Sequence, residues 1–165
     1  MKKPTSYRSA FVAFSLLFLF SFMQKNKTGL ATQYCNKRFA YCLNYPASLF
    51  PERTISVQSD TLLLKSVGQI ATVTVVGKSG PAQATPEAVF EKNLQAITSK
   101  YGKANVISTL FGEDFYEANF LCGDYTYHHK ANFSPSAAVL LSITVPMNRP
   151  EMMVRAKSDV EIIFE

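Results

Sequence analysis

The sequence predicts an α+β domain, mainly an antiparallel sheet covered by helices. Three observations predict it. Apolar residues alternate with a period of two through most of residues 39–77 and 104–145. That period is broken once by a helical one at 85–101, and a second helical stretch follows at 149–164. The connections between these stretches are short, which favours antiparallel neighbours.

Residues 39–45, FAYCLNY, place Phe39, Tyr41, Leu43 and Tyr45 on one side and Ala40, Cys42 and Asn44 on the other, and Pro46 ends the strand. RTISVQ and TLLLKSV form two further strands around Ser59 and Asp60, a turn pair. QIATVTVVG, residues 69–77, is rich in β-branched residues and is bracketed by Gly68 and Gly77. Thr85, Pro86 and Glu87 then read as an N-cap, a first-turn proline and a first-turn acid. Phe90, Leu94, Ile97 and Tyr101 make one apolar stripe, and Gly102 closes the helix. Strands resume as ANVISTLF, DFYEANFLC, YTYHHKANF and AAVLLSITV, separated by Gly112, by Gly123 and Asp124, and by Ser134–Ser136. Behind Pro150, the residues Met153, Ala156, Val160 and Ile163 have the spacing of a terminal helix, with a β-branched end at Ile162 and Ile163.

The chain opens with Lys2, Lys3 and Arg8, followed by a charge-free apolar run from Phe11 to Met23. A basic start and a short apolar run are the pattern of a secretory signal peptide, and the run is shorter than a membrane span requires. Gly29, Leu30 and Ala31 supply small residues for cleavage, so residues 1–31 are expected to be a signal peptide and 32–165 a single domain. The alternative is that residues 10–23 are retained as an anchor, a reading that Lys25 and Lys27 beyond the run keep open.

Of the 17 Lys and Arg, the leader holds Lys2, Lys3, Arg8, Lys25 and Lys27, and it holds none of the 12 acids. The remainder is therefore 12 against 12. The basic excess belongs to the targeting segment and does not indicate nucleic acid as a partner.

FAYCLNYP near the start, SVGQIATVTVVG in the middle and the terminal amphipathic helix together resemble the PsbP-like α/β/α sandwich. That superfamily includes photosystem-associated PsbP proteins, the Ran-binding Mog protein and secreted bacterial proteins without assigned activity. The pattern is most similar to the last group, whose members often end a strand as Tyr41, Leu43, Tyr45 and Pro46 do here. The resemblance spans nearly all of 33–165 and brings no active-site residues with it. It implies a small extracytoplasmic binding or accessory domain.

Cys35 and Cys42 lie opposite each other if the chain turns at Arg38–Phe39 or in a four-residue loop from Lys37 to Ala40. A secreted chain enters an oxidising compartment, so the pair is read as a disulfide. Two free thiols, or a redox or metal role, are the alternatives. Zinc would need about four ligands, and no second Cys/His pair has matching spacing. Cys122 is left over and fits a small buried apolar residue.

His128 and His129 are the only histidines and face opposite ways on a strand, so they cannot readily share a metal ion. His128 falls with Thr126 and Lys130 on a polar face, and His129 falls with Tyr125, Tyr127 and Phe133. Glu113, Asp114 and Glu117 are an acidic group from which a hydrolase could be built in a cleft. The elbow, zincin and phosphate-loop motifs are absent. No metal, cofactor or catalytic residue is therefore assigned. A candidate binding surface is Tyr116, Tyr125, Tyr127 and His128. The expected partner is a protein or envelope component, and a membrane only if the leader stays.

Overall fold

A computed structural model describes residues 31–56, 58, 60–79 and 85–164. Of the expected leader, 1–31, residues 1–30 lie outside the described residues. The strands are β1 (Ala31–Asn36), β2 (Tyr41–Pro46), β3 (Glu52–Ser56), β4 (Thr61–Lys65), β5 (Thr72–Ser79), β6 (Ala104–Phe111), β7 (Phe115–Cys122), β8 (Tyr125–Ser134), β9 (Ala137–Pro146) and β10 (Glu161–Phe164). Helix α1 (Pro86–Tyr101) follows β5, and helix α2 (Pro150–Asp159) precedes β10.

Seven strands form one sheet in the order β3-β4-β5-β9-β8-β7-β6, and β1-β2-β10 form a second, three-stranded sheet. Every pairing is antiparallel. After β5 the chain crosses the large sheet as α1, starts again at the far edge as β6, and winds back strand by strand until β9 meets β5.

Each face of the large sheet has its own core. On the first face, Leu62 and Leu64 of β4, Val73 and Val75 of β5, and Leu141 and Ile143 of β9 are buried. They pack under Tyr41 and Leu43 of the small sheet and under Met153 and Ala156 of α2. On the second face, Phe90 of α1 packs among Tyr116, Phe120, Tyr127 and Ala131. The expectation of a sheet covered by helices therefore needs correction. There are two α-helices among the described residues, and β1-β2-β10 cover much of the first face.

Helix α1 starts and stops as its sequence signals indicate. The Thr85 hydroxyl accepts from the Ala88 N–H at 3.3 Å, and Gly102, at φ 94°, donates its N–H to the Thr98 carbonyl. The apolar stripe holds at Phe90, Leu94 and Ile97. Tyr101, its fourth member, is exposed.

Two elements differ from the sequence pattern. The terminal helix stops at Asp159, and residues 161–164 pair with β2 from Glu161↔Asn44 to Phe164↔Tyr41. Ile162, Ile163 and Phe164 suit a strand better than a helix, and β2 presented an open edge. Gly77, expected to bracket β5, lies inside it, and the strand runs on to Ser79. The glycine is needed because the Phe39 ring lies directly on it, in the space a Cβ would occupy. Phe39 belongs to the turn between β1 and β2, so this contact docks the small sheet on the large one. Arg38 beside it bonds Asp60 Oδ2 at 2.8 Å, and Asp60 also accepts from the Gly77 N–H through its carbonyl.

The turn between β1 and β2 is the four-residue one, and it sets Cys35 against Cys42. The two are joined by a disulfide. Cys122 is a free, buried thiol whose Sγ donates to the Gly102 carbonyl at 3.1 Å.

Two outcomes test this arrangement. Gly77→Ala forces the Phe39 ring off β5 and is expected to cost about 1–3 kcal/mol in urea unfolding, as overpacking does. Gly77→Ala combined with Phe39→Ala is expected to show strong non-additivity. Cys35→Ser with Cys42→Ser opens a short loop and is expected to cost roughly 2–2.5 kcal/mol, measured the same way.

Candidate functional site

Antiparallel pairing of β7 with β8 sets Glu117 opposite Lys130 and Asn119 opposite His128 on the first face. The last turn of α2 comes down over them with Lys157 and Ser158, and Val160 to Ile162 close the other side. Glu117, His128, Lys130 and these last groups line a cleft of about 390 Å³ whose floor includes Leu141 and Ile143 of β9.

Asn119 ties together two of the cleft's polar groups, His128 and Lys157. Its Nδ2 donates to Ser108 Oγ of β6 at 2.9 Å, and the donor-only Lys157 ammonium on its other end fixes which end is the oxygen. Its Oδ1 accepts from Lys157 Nζ at 3.0 Å and lies 3.0 Å from His128 Nδ1. An oxygen facing Nδ1 requires the proton to be on that nitrogen, so Nε2 is the acceptor of a neutral imidazole. Burial, reinforced by Lys157, His129 and Lys130, pushes the His128 pKa down to about 3. The Glu117 carboxylate, 3.9 Å from Nδ1, therefore faces a neutral ring and forms no ion pair with it near neutral pH. The sequence pattern puts His128 on a polar face. It is only 6% exposed because α2 packs over that face.

The tyrosines of the expected binding surface are placed differently. Tyr116 is fully buried under α1, and its hydroxyl accepts from Asn93 Nδ2 at 3.1 Å. Tyr127 is buried and stacks on Phe120 with ring centroids 4.9 Å apart. Tyr125 lies at the margin of that layer against Tyr101. All three belong to the second face and His128 to the first, so they do not share a surface. Glu113 and Asp114 are exposed between β6 and β7, while Glu117 is in the cleft. Asn119, Lys157 and Ser108 were not singled out from sequence. The period-two register places Ser108 and Asn119 on His128's side of the sheet, but nothing local to Lys157 signals where α2 docks.

Among the described residues, no group of three or more His, Cys, Asp or Glu side chains is arranged to hold a metal ion.

No protein-family model and no curated protein sequence matches this chain. Solved structures do. The solution structure of cyanobacterial PsbP (CyanoP) from Synechocystis sp. PCC 6803 superposes with a TM-score of 0.60 at 10% identity, over 81% of this chain and 92% of that one. The chain has a PsbP-like fold. A crystal structure from Bacteroides thetaiotaomicron is also similar, with a TM-score of 0.45 and 14% identity, over 81% of this chain and 48% of that one. At such identities the likeness extends to the fold alone.

The two buried histidines make stability depend on pH. His129 is pushed down to about 4 by burial, and His128 to about 3. Both values lie below the ordinary one near 6.5, so on acidification the unfolded chain takes up protons that the folded chain refuses. Stability is expected to fall as pH drops from about 6.5 towards 4, with a slope approaching two protons taken up on unfolding, roughly 3 kcal/mol per pH unit. Urea unfolding across that range should show the slope, and His128→Asn should reduce it by roughly half.

Proposed function

We propose that this chain is a secreted or periplasmic, non-catalytic binding or accessory domain, and that its partner, a protein or envelope component, docks at the first-face cleft. The observation that carries the reading is the closed hydrogen bonding of Asn119. Ser108, Lys157 and His128 all bond to it, so these groups hold one another in place. A cleft with an apolar floor and both charge signs on its wall, Glu117 against Lys130, suits recognition of a mixed-charge protein segment. The leader, the disulfide and the PsbP-like fold support an extracytoplasmic location. On this reading the chain belongs with the secreted bacterial proteins of its fold.

A second reading keeps residues 10–23 as an anchor and makes the chain a membrane-tethered accessory subunit. It is favoured by the charge-free run ending at Met23 with Lys25 and Lys27 beyond it.

One experiment tests both. The protein is isolated from its native envelope fraction with its partners cross-linked, and its intact mass is measured after thiol alkylation. The expected result is a mass beginning near Thr32, two thiols shielded until reduction, and a stoichiometric partner that is lost with Lys157→Glu. A full-length mass favours the anchored subunit. Three labelled thiols remove the extracytoplasmic reading. A partner that Lys157→Glu leaves in place moves the docking site away from the cleft, and turnover of an ester, phosphate or glycoside substrate overturns the non-catalytic assignment.

A further inference from the structure

A second cavity, of about 330 Å³, lies on the opposite face, between α1 and strands β5, β9 and β8. Helix α1 packs on β7 and β6 and leaves its other flank, with Asn93, Ala96 and Ile97, standing over this space. The walls are mostly apolar, with Val76, Leu140, Ile97 and Tyr127 among them.

Its polar groups are in register. Thr74 pairs with Ser142, and Ser142 pairs with His129, so three neighbouring strands present a hydroxyl, a hydroxyl and an imidazole in one row. All three line the cavity. Neither the Thr74 nor the Ser142 hydroxyl is engaged in the hydrogen bonds of the described residues. His129 is 7% exposed, and its Nε2 is buried with no hydrogen-bond partner among the described residues. Phe120 and Tyr127 hold the ring edge-on, at centroid distances of 4.9 and 6.2 Å. Leaving such a nitrogen unpaired in an apolar layer disfavours the folded state, and an orphan of this kind at a cavity points to an occupant.

We infer that the cavity beneath α1 binds a small uncharged amphiphile, an aryl or branched-alkyl alcohol or phenol, whose hydroxyl meets the Thr74–Ser142–His129 row. A hydroxyl both donates and accepts, so it satisfies His129 Nε2 in either tautomer while bonding Ser142 or Thr74. The body of the molecule lies against Val76, Leu140 and Ile97. No acid lines the cavity, and its one charged residue, Lys78, is exposed four residues along β5 from Thr74. An ionised head placed on the row would therefore lose its water without a nearby counter-charge. Nε2 is shut from solvent, so the inferred binding includes a small side-chain shift at the cavity floor that lets the hydroxyl reach it. This site shares no role with the cleft on the first face.

The probe is 4-methylphenol, titrated into the purified full chain by calorimetry and by NMR, with toluene and 4-methylbenzoate as controls. One molecule of 4-methylphenol is expected to bind about tenfold more tightly than toluene, the worth of one hydrogen bond, and more tightly than the benzoate. The shifted resonances should be those of Thr74, Ser142 and His129. Ser142→Ala should narrow the preference for the phenol over toluene while leaving toluene binding unchanged. His129→Leu should abolish that preference and melt no lower than the unmodified chain, since it removes the orphan nitrogen. Should His129→Leu not fold, the Ser142→Ala result decides. Equal binding of phenol and toluene, tighter binding of the benzoate, shifts confined to residues away from the row, or no binding of any probe at millimolar concentration would each overturn the inference.

Discussion

The pairing of β5 with β9, from Thr72↔Thr144 to Ser79↔Ala137, joins the two halves of the molecule. On one side of it lie β3 and β4, and on the other β8, β7 and β6. The partners are far apart in the chain, with α1 and three strands between them, so the loop closed by this contact is long. What repays the closure is that β9 serves both cores. Val139, Leu141, Ile143 and Val145 are buried in the first, and Leu140 packs against the second. A one-residue slip would send the four large residues to the wrong face and break both layers together.

The same alternation separates the two histidines. They are adjacent in sequence and both are kept neutral by burial. His128 meets an amide, a lysine and a carboxylate under α2, while His129 meets Phe120 and Tyr127 under α1. One strand thus supplies an imidazole to each of two chemically different recesses. Neither ring is a cation near neutral pH: His128 is held by its hydrogen bond to Asn119, while His129 is packed between aromatic rings with its Nε2 unpaired.

Much of the fold was legible because its signals are local. Thr85, Pro86 and Gly102 mark the ends of α1 by cap chemistry alone. The four-residue turn from Lys37 to Ala40 makes the Cys35–Cys42 pairing follow from antiparallel geometry. What was not legible is which face each element covers. His128 and its polar neighbours carry the pattern of a solvated face, and only the docking of α2 turns that face into a cleft. Tyr116 and Tyr127 read as surface candidates because a tyrosine has a polar tip. In the structure one tip is spent on Asn93, and the other ring is stacked on Phe120. Strand β10 was hidden in the same way. Val160 and Ile163 continue a helical stripe, but the β2 edge, more than a hundred residues earlier, offered hydrogen bonds that a further helical turn could not match.

That edge ties the covalent constraint to the cleft. Cys42 lies in β2, bridged to Cys35 on one side and paired with Ile163 of β10 on the other. Glu161 and Ile162, at the start of β10, are part of the cleft wall, and Lys157, four residues before Glu161, bonds Asn119. The chain from the disulfide to the cleft is therefore continuous: a stapled hairpin, the strand laid on its edge, and the helix end leading into that strand. Phe39 on Gly77 anchors the far end of the hairpin to the large sheet, so the hairpin is held at its tip and stapled beside it. An apolar floor supplied by β9 is rigid because it lies mid-sheet. The cleft's other wall, on a short terminal strand, owes its position to β2, and through β2 to the disulfide.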